Sequence, residues 1–520
     1  MRRHLLIAFV SATLTILFAL PTMADVTLPC VFSDHMVLQR DKPVAVWGWA
    51  EKGEKVTVTV AGKTASTKPN ADGRWTVSIG PLPAGGPHKL LVQGANTITV
   101  NDVLVGEVWL CSGQSNMAMT VSRAKDFDAE KKAATWPKIR MLTVARQSVE
   151  KPVLKCEGDW KICEPETVGG FSATAYFFGR TLHEELGVPV GLITSAWGGT
   201  AVEAWTSIEP QESKKELKPL LQSWENQIAT YDPPAAKARY EKQLAAWKVK
   251  AAQAKAAGKK APRQPRAPVD PKISQNRPAN LFNGMIQPLI PYGIRGAIWY
   301  QGERNSHGEP SALYGLQLQT LITDWRTRFG QGDFPFFFVQ LPNFLKPQEQ
   351  PSEHTGWVMV REGMLKTLDL DNTGMAITID VGEEKDIHPK DKQAVGQRLG
   401  LWGLATVYEK DLVYSGPICK ASEAQGNKMI LAFDHVGDGL KTSDEEAVKG
   451  FAIAGRDKKF VWAEAEIDGN QVIVSAKEVK KPVAVRYAWA NNPSVNLVNS
   501  AGLPASPFRT DDWVEPIAAR

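Results

Sequence analysis

The feature that most constrains this chain is an apolar segment at residues 105–112 that ends abruptly at Gly113. The segment has the character of a buried strand, and the glycine that follows breaks it. Beyond the break, the hydroxyl of Ser115 stands between two amide side chains. A serine becomes a nucleophile only when a base takes its proton and N–H donors hold the resulting oxyanion. The segment alone is equally consistent with an ordinary polar turn, so its interpretation depends on whether the rest of the chain supplies a base and donors.

The secondary-structure pattern changes twice along the 520 residues, a length that exceeds one ordinary core. Residues 25–102 contain short strands divided by turns, which is typical of a small antiparallel β-sandwich. Residues 103–411 alternate strands with helices, the pattern of an α/β layer fold. Residues 412–520 return to short strands and predict a C-terminal β domain.

The central region places chemistry at the carboxyl ends of its strands, as open α/β sheets do. Its predicted strands are 107–110, 190–194, 297–300, 336–340 and 375–378, and its predicted helices are 173–186, 311–328 and 392–408.

An insertion at about residues 209–280 interrupts this alternation. Tyr240, Leu244 and Trp247 recur at helical spacing, and residues 255–263 form a basic low-complexity run. We interpret the insertion as a helical hairpin with a solvated basic loop, and the alternative is a polyanion-binding segment.

The first 24 residues have the order of a secretory signal peptide. Arg2 and Arg3 precede an apolar run over residues 5–20, and small residues then lead to a predicted cleavage after Ala24. A retained membrane anchor is the alternative, but the run is short for one. We therefore expect an exported protein, periplasmic or secreted, with no membrane partner after cleavage.

Charge and cysteine content narrow the function further. The formal net charge is +5, or about +3 without Arg2 and Arg3, which is too mild to indicate a nucleic-acid partner. Of the five cysteines, Cys156 and Cys163 are candidates for a disulfide across a hairpin. Their spacing is not a zinc pattern, so we expect no metal site. Cys111 lies in the apolar segment, which favours a buried structural thiol over a nucleophile.

If Ser115 is a nucleophile, the histidine with the best context is His388. It follows one predicted strand and precedes one predicted helix of the central region. Asp386 lies two residues earlier, and residues i and i+2 of an extended segment point the same way. Pro389 favours that extended conformation, and a carboxylate so placed can hold an imidazole. The competing residues are His307 and His354 as bases, and Glu383 and Glu384 as acids.

Two further strand ends carry residues suited to an oxyanion hole. Gly198 and Gly199 follow the predicted strand 190–194, and glycine lets a backbone N–H approach a ligand closely. Gln301 follows the predicted strand 297–300, and its side-chain amide can donate to an oxyanion. Glycine turns after strands are common, but successive strand ends of this kind strengthen the interpretation of Ser115 as a nucleophile.

Four blocks of the sequence resemble those of SGNH-type carbohydrate esterases, and the sialate O-acetylesterase family most of all. The blocks are Gly-Gln-Ser-Asn at 113–116, Trp-Gly-Gly-Thr at 197–200, Gln-Gly-Glu at 301–303 and Asp-Ile-His-Pro at 386–389. The resemblance extends to residues 31–40 and 504–509, and so covers nearly the whole mature chain apart from the basic insertion. It implies an α/β fold class, with an SGNH-hydrolase-like three-layer α/β/α domain flanked by antiparallel β-sandwich modules.

The resemblance also implies a role for each block. Ser115 would be the nucleophile and His388 the base. The backbone N–H groups of Ser115 and Gly199 would hold the oxyanion. To these two donors we add the Gln301 amide, on the position of that residue after its predicted strand.

Two positions depart from the general SGNH pattern. That pattern has an asparagine where this chain has Gln301, as the sialate esterase branch does. It also has an acid three residues before the histidine, where this chain has Lys385. Asp386 is therefore our candidate for the acid that orients the histidine, with Glu303 as the alternative.

We predict an exported serine esterase that removes acetyl groups from carbohydrate, with O-acetylated sialic acid as the favoured substrate and no metal or cofactor. One alternative is a deacetylase of acetyl-xylan or another polysaccharide with the same mechanism, and another is a noncatalytic carbohydrate-binding protein. The predicted substrate-side residues are Trp197, Trp205, Trp299, Glu303 and Arg304. The alternative is core packing for the three tryptophans and a surface ion pair for Arg304.

Overall fold

The computed structural model describes residues 25–518, so the predicted signal peptide at residues 1–24 lies outside the described residues. Within the described range, a sheet with helices on both faces forms the central region, and all its strands are parallel except the antiparallel edge strand at residues 160–163. Antiparallel sheets precede and follow it along the chain. The fold class is therefore the predicted one, a three-layer α/β/α domain with flanking antiparallel β modules.

The N-terminal module is built from short strands with buried valines on alternate positions, as in Val56, Val58 and Val60. The strands are β1 (Val37–Gln39), β2 (Val44–Trp49), β3 (Val56–Val60), β4 (Lys63–Thr67), β5 (Arg74–Ile79), β6 (Gly85–Gln93) and β7 (Thr97–Gly113). Strand β7 pairs antiparallel with β6 in its first half and continues into the central sheet in its second half. The boundary predicted at residues 102/103 therefore falls inside one continuous strand.

The central sheet has the strand order β13-β12-β11-β7-β10-β8-β9. Its further strands are β8 (Trp136–Thr143), β9 (Trp160–Cys163), β10 (Val190–Ala196), β11 (Gly296–Tyr300), β12 (Phe336–Val339) and β13 (Thr373–Ala376). Parallel pairing sets Gly113 of β7 opposite Ala196 of β10 and Tyr300 of β11. The turns that follow these three strands therefore start at the same level of one sheet edge.

Helices cover both faces of this sheet, with α3 and α9 packed together on one face and α7 and α8 on the other. The helices are α1 (Ser115–Ala118), α2 (Phe127–Ala133), α3 (Ala173–Leu186), α4 (Ile208–Glu212), α5 (Lys218–Ala229), α6 (Pro233–Ala256), α7 (Tyr314–Phe329), α8 (Gly356–Thr367) and α9 (Lys392–Thr406). Short 3-10 or π turns occupy Val121–Arg123, Val168–Gly170, Val202–Trp205, Lys215–Leu217, Pro271–Ile273, Phe282–Ile286, Gln287–Leu289 and Glu309–Leu313. In helix α3, the local sequence sets both ends. The Ser172 hydroxyl accepts from the Ala175 N–H, and Gly187 ends the helix at φ 67°.

The insertion is helical, as the spacing of Tyr240, Leu244 and Trp247 predicts. These residues lie on α6, a helix that buries none of its side chains. The basic residues that follow α6 form an irregular loop. Helix α5 precedes α6 and lies closer to the central region.

The C-terminal module has its own core and joins the central region through buried polar contacts. Its strands are β14 (Ile418–Gln425), β15 (Lys428–Asp434), β16 (Leu440–Thr442), β17 (Phe451–Ala454), β18 (Phe460–Trp462), β19 (Glu464–Asp468), β20 (Gln471–Ser475), β21 (Ala484–Tyr487), β22 (Leu497–Asn499) and β23 (Phe508–Arg509). The fully buried guanidinium of Arg361 on α8 donates to the carbonyls of Leu341 and Ala490, which belong to the two regions.

The predicted pairing of Cys156 with Cys163 is wrong, because Cys156 forms a disulfide with Cys30. Cys30 and Cys156 pack against the core that the N-terminal module shares with one face of the sheet. Cys163 lies in the core of the opposite face and is a free, buried thiol. Cys111 is also free and fully buried, and burial raises the pKa of its thiol, as expected of a structural cysteine.

Candidate active site

The turn after β7 positions Ser115 at the carboxyl edge of the sheet. Gly113 has φ 138°, and a Cβ atom there would lie 2.2 Å from the carbonyl oxygen of Tyr300. The Gln114 N–H donates to the same carbonyl at 2.9 Å, and α1 begins at the next residue. Only glycine fits at position 113, because any side chain would separate β7 from β11 at the point where the nucleophile turn begins.

His388 lies on the loop between β13 and α9, at the same edge. Its Nε2 is 2.9 Å from Oγ of Ser115. Its Nδ1 is 3.3 Å from Oδ1 of Asp386, and its backbone N–H donates to that oxygen at 3.0 Å. The structure thus brings together the three residues predicted as nucleophile, base and acid. Because Nδ1 faces a carboxylate, Nε2 is the nitrogen left to accept the serine proton.

The electrostatics of this triad favour a neutral imidazole. Partial burial lowers the pKa of His388, and Asp386 opposes that shift without cancelling it. Partial burial raises the pKa of Asp386, but the His388 backbone N–H and imidazole outweigh it and lower the pKa overall. The Asp386 side chain is 45% exposed, so water screens its interaction with the imidazole.

Two of the competing residues predicted from the sequence, His354 and Glu383, have other partners. His354 stacks on Trp489 with ring centroids 6.2 Å apart. Glu383 accepts from the backbone N–H of Lys390 at 3.0 Å. These contacts place His354 against the C-terminal module and engage Glu383 with the loop that follows His388.

The loop after β10 packs directly against Ser115. A Cβ atom built on Gly198 would lie 3.3 Å from Cβ of Ser115, so glycine permits this approach. Gly199 is exposed and has φ 74°. Within residues 25–518, neither the Ser115 nor the Gly199 backbone N–H donates to a protein acceptor. Two N–H groups are thus available beside the hydroxyl.

Gln301 is not available as the predicted oxyanion donor. It is fully buried, and its Nε2 donates to the Thr200 carbonyl at 3.0 Å, Asn305 Oδ1 at 2.7 Å and Gln114 Oε1 at 3.3 Å. An amide nitrogen carries two hydrogens, which these acceptors use. Its Oε1 accepts from the Tyr314 hydroxyl at 2.9 Å. Gln301 therefore ties the loop after β10 to the nucleophile turn instead of facing substrate.

A buried polar cluster behind Ser115 was not predicted from the sequence. Lys392, the first residue of α9, is fully buried, and its Nζ donates to Asn116 Oδ1 at 2.6 Å. The Asn116 Nδ2 donates to Glu303 Oε1 at 2.5 Å and to the Ile387 carbonyl at 3.0 Å. Burial lowers the pKa of Lys392 to about 7. The cluster links the residue after Ser115 to the residue before His388.

The predicted sugar-side residues divide into two groups. Trp205 and Trp299 are fully buried and pack edge to face with centroids 6.1 Å apart, so both are core residues and their predicted substrate contact is wrong. Glu303 is buried in the cluster with Asn116. Trp197 is only partly buried, and Arg304 is exposed. These two remain on the accessible side.

Among residues 25–518, no helix is both long and apolar enough to cross a membrane. The same residues contain no group of three or more His, Cys, Asp or Glu side chains that could hold a metal ion.

Known proteins resemble the chain over most of its length. A family model described as carbohydrate esterase, sialic acid-specific acetylesterase, matches residues 105–232 and 273–401. The segment between the two matches holds α6 and its basic loop.

Individual relatives extend the similarity beyond the central region. The sialate O-acetylesterases of Pongo abelii and Homo sapiens are each 30% identical to this chain, over 92% of it and 91% of their own length. A solved carbohydrate acetylesterase from Xanthomonas citri is 36% identical, with a TM-score of 0.80, and the match covers 94% of this chain and all of that one. The shared architecture therefore includes the flanking β modules.

Proposed function

We propose a mechanism for this chain, which belongs to the sialate O-acetylesterase family and is a carbohydrate O-acetylesterase. In this mechanism the enzyme cleaves the ester through an acetyl-serine intermediate. The observation that carries this proposal is the 2.9 Å contact between Oγ of Ser115 and Nε2 of His388. A lowered pKa keeps His388 neutral near pH 7, which is the form that accepts a proton.

The reaction has two halves. In the first, Oγ of Ser115 forms a bond to the acetyl carbon while its proton passes to Nε2 of His388. The bond between the acetyl carbon and the sugar oxygen then breaks, and the imidazolium returns the proton to that oxygen. In the second half, water attacks the acetyl-serine, His388 takes a proton from it, and acetate leaves as the serine hydroxyl is restored.

Backbone N–H groups stabilise the oxyanion in both halves. The donors in this proposal are the N–H groups of Ser115 and Gly199, which have no protein acceptor within the described residues. Gln301 acts indirectly, because its hydrogen bonds hold Gln114 and Thr200 on either side of the acyl position.

The favoured substrate is O-acetylated sialic acid. Support comes from the relatives with 30% identity, which are sialate O-acetylesterases, and from the description of the matching family model. Acetyl-xylan is the alternative to be compared in the same assay.

We also propose that the chain is exported. The basic, apolar and small-residue order of residues 1–24 supports this localisation. The Cys30–Cys156 disulfide adds support, because such bonds persist in oxidising compartments.

The test of the mechanism is substitution of the nucleophile. Ser115→Ala should lower kcat for p-nitrophenyl acetate by at least about 10⁴-fold, because the remaining groups cannot form the acetyl-enzyme. Ser422→Ala, on an exposed position of β14, is the matched control and should keep the wild-type rate. Mass spectrometry of rapidly quenched wild-type enzyme should find one acetyl group on the peptide that contains Ser115. An unchanged rate in Ser115→Ala would refute the mechanism, and a wild type that releases no acetate would favour a noncatalytic binding protein.

A further inference from the structure

A cavity of ≈ 1050 Å³ lies beside the nucleophile turn, between α5 of the insertion and the loop that follows β11. Two contacts show that it adjoins the site. Arg304 lines it, and the Arg304 backbone N–H donates to Gln114 Oε1 at 3.3 Å, next to the nucleophile. Asn276 also lines it, and its Oδ1 accepts from the Ala201 N–H at 2.9 Å, two residues beyond Gly199. The loop after β10 therefore contributes Ala201 to the cavity wall, and one hydrogen bond joins the wall residue Arg304 to the turn that carries Ser115.

The cavity is much larger than the acetyl group that the reaction removes. Ligand pockets typically have volumes of roughly 300–1,000 Å³, and an acetyl group fills a small part of that. Neither Ser115 nor His388 lines the cavity. Whatever binds there is thus held at a distance from the reacting carbon, as the remote part of a larger substrate would be.

The lining suits sugar rings. The partly buried Trp224 and Leu220 of α5 line the cavity, and so do two residues with side-chain amides, Gln227 and Asn276. An aromatic face with a few amide groups around it can pack against the C–H face of a pyranose while bonding its hydroxyl groups.

The charge of the lining argues against an anionic ligand. Two exposed carboxylates, Glu216 and Glu309, line the cavity together with the guanidinium of Arg304 and the imidazole of His307. A third carboxyl, that of Glu203, is buried there and accepts from Asn305 Nδ2 at 2.9 Å. An acidic sugar would thus meet at least as many negative as positive groups, whereas a neutral sugar would not be repelled.

We propose that this cavity binds uncharged saccharide units joined to the acetylated sugar, so that the preferred substrate is an O-acetylated oligosaccharide rather than a single acetylated sugar. The inference rests on the proposed function, because it requires the acetyl group to lie at Ser115. It applies equally to an acetylated xylo-oligosaccharide and to an acetylated sialic acid joined to neutral sugars, since both present neutral units beyond the reacting one.

The experiment compares kcat/KM across chain length in two series. One series is O-acetylated xylose against O-acetylated xylotetraose, and the other is O-acetylated sialic acid against the same sugar joined to lactose. In at least one series the longer substrate should be preferred by about 10-fold or more, because remote contacts add binding energy that the short substrate lacks. The series that shows the preference identifies the source of the neutral units.

Variants locate the preference in the cavity. Trp224→Ala and, independently, Gln227→Ala should reduce the ratio of kcat/KM for the longer substrate to that for p-nitrophenyl acetate, by about 10-fold for the tryptophan. Trp247→Ala, on α6 of the same insertion but outside the cavity lining, is the control and should keep the wild-type ratio. If one of the two cavity variants misfolds, the other still tests the proposal. Circular dichroism measures whether each variant is folded.

Two results would overturn the proposal: equal kcat/KM for short and long substrates in both series, or an unchanged ratio in both cavity variants. Failure of the proposed mechanism is a separate outcome, because it would appear as activity retained in Ser115→Ala whatever the chain length of the substrate.

Discussion

Two buried charge clusters lie at opposite ends of the parallel part of β7, and they are built differently. The first surrounds Glu107, which is fully buried. Arg40 donates to it at 2.5 Å, Arg295 at 2.7 and 3.2 Å, and Gln39 at 3.1 Å. Burial raises the pKa of Glu107, but hydrogen bonds from Arg295 and Arg40 outweigh burial and lower it below its ordinary value. Glu107 is therefore an anion matched by two cations.

The second cluster surrounds Lys392, beyond the other end of the strand. Its ammonium group is also fully buried, but its hydrogen-bond acceptor is the neutral amide oxygen of Asn116. The Lys392 Nζ lies 5.1 Å from the centre of the Tyr300 ring. The charge of Glu303 raises the pKa of Lys392 but does not cancel the effect of burial. Lys392 also occupies the start of α9, where the helix dipole disfavours a cation. Burial is the main reason that the pKa of Lys392 is lowered to about 7.

The two charges differ in how fully opposite charges compensate them and in which segments they hold together. Glu107 stays charged at any pH above its ordinary pKa of 4.5, and its partners join β1, β7 and the start of β11. Lys392 sits near the balance between charged and neutral forms, and its partner Asn116 links the nucleophile turn to the loop of His388. If this distinction holds, substitutions at the two ends should separate stability from rate.

The largest effect should come from Glu107→Ala. We expect the free energy of unfolding to fall by about 3–5 kcal/mol, because the change leaves two guanidinium groups without their shared anion. Urea denaturation followed by tryptophan fluorescence measures it, and kcat of the folded fraction should stay close to wild type. Glu466→Ala, on an exposed position of β19, is the control and should change stability by less than about 0.5 kcal/mol. A loss below about 1 kcal/mol for Glu107→Ala would show that the Glu107 cluster does not contribute to stability as a buried ion pair should.

The next effect should be a loss of rate in Lys392→Met. We expect kcat to fall about 10²-fold, which corresponds to a rise of about 2.7 kcal/mol in activation free energy. The reason is that Asn116 loses the donor that orients it, so the segments of Ser115 and His388 are held less accurately relative to each other. Steady-state kinetics with p-nitrophenyl acetate measures it. Lys390→Met, an exposed lysine two residues earlier, is the matched control and should act at nearly the wild-type rate. A Lys392→Met enzyme with wild-type kcat would show that the cluster does not position the nucleophile.

The two clusters should also respond to pH at opposite ends of the scale. The pKa of Lys392 is about 7 in the folded protein, against an ordinary value of 10.5. Between these values the unfolded chain binds more protons, so stability should rise with pH through this window. Between pH 7 and 8.5 we expect a gain of about 1–2 kcal/mol in wild type that Lys392→Met lacks. The stabilising contribution of Glu107 is present above its ordinary pKa of 4.5 and is lost as pH falls through its lower folded pKa.

The comparison uses the difference between wild type and Lys392→Met, measured by urea denaturation at each pH. Buried thiols such as Cys163, whose pKa is raised to about 12, destabilise the fold at higher pH, but they contribute equally to both proteins. Parallel stability curves for the two proteins would contradict an unusual pKa at Lys392.

Local signals in the sequence account for what could be predicted. Helix α3 has the predicted bounds, because apolar spacing and both caps lie within the segment itself. Helix α7 begins at Tyr314, later than predicted, because Glu309–Leu313 forms a 3-10 turn that the apolar spacing does not distinguish from an α-helix. The placement of Ser115 and His388 at one edge followed from the rule that parallel strands end together.

What could not be predicted depends on contacts between distant segments. Lys392 has an ordinary sequence context at the start of a helix, and its burial becomes visible only with Asn116, 276 positions away, beside it. The Cys30–Cys156 pair is 126 positions apart in sequence. Trp299 lies on a strand buried on both faces, so periodicity carries no sign of which side faces the substrate.

The smallest effect should come from Asp386→Asn. The Asp386 carboxylate is 45% exposed and 3.3 Å from the imidazole, so it should orient His388 less strongly than a buried acid would. We expect kcat/KM to fall about 10-fold, which is about 1.4 kcal/mol. The pH profile tests the cause, because Asp386 raises the pKa of His388 and its removal should move the acid limb of kcat/KM to lower pH. Asp391→Asn, at the cap of α9, is the control and should leave the limb in place. A loss of 10³-fold or more, or an acid limb that does not move, would show that Asp386 acts on His388 in a different way from the one its exposure and distance indicate.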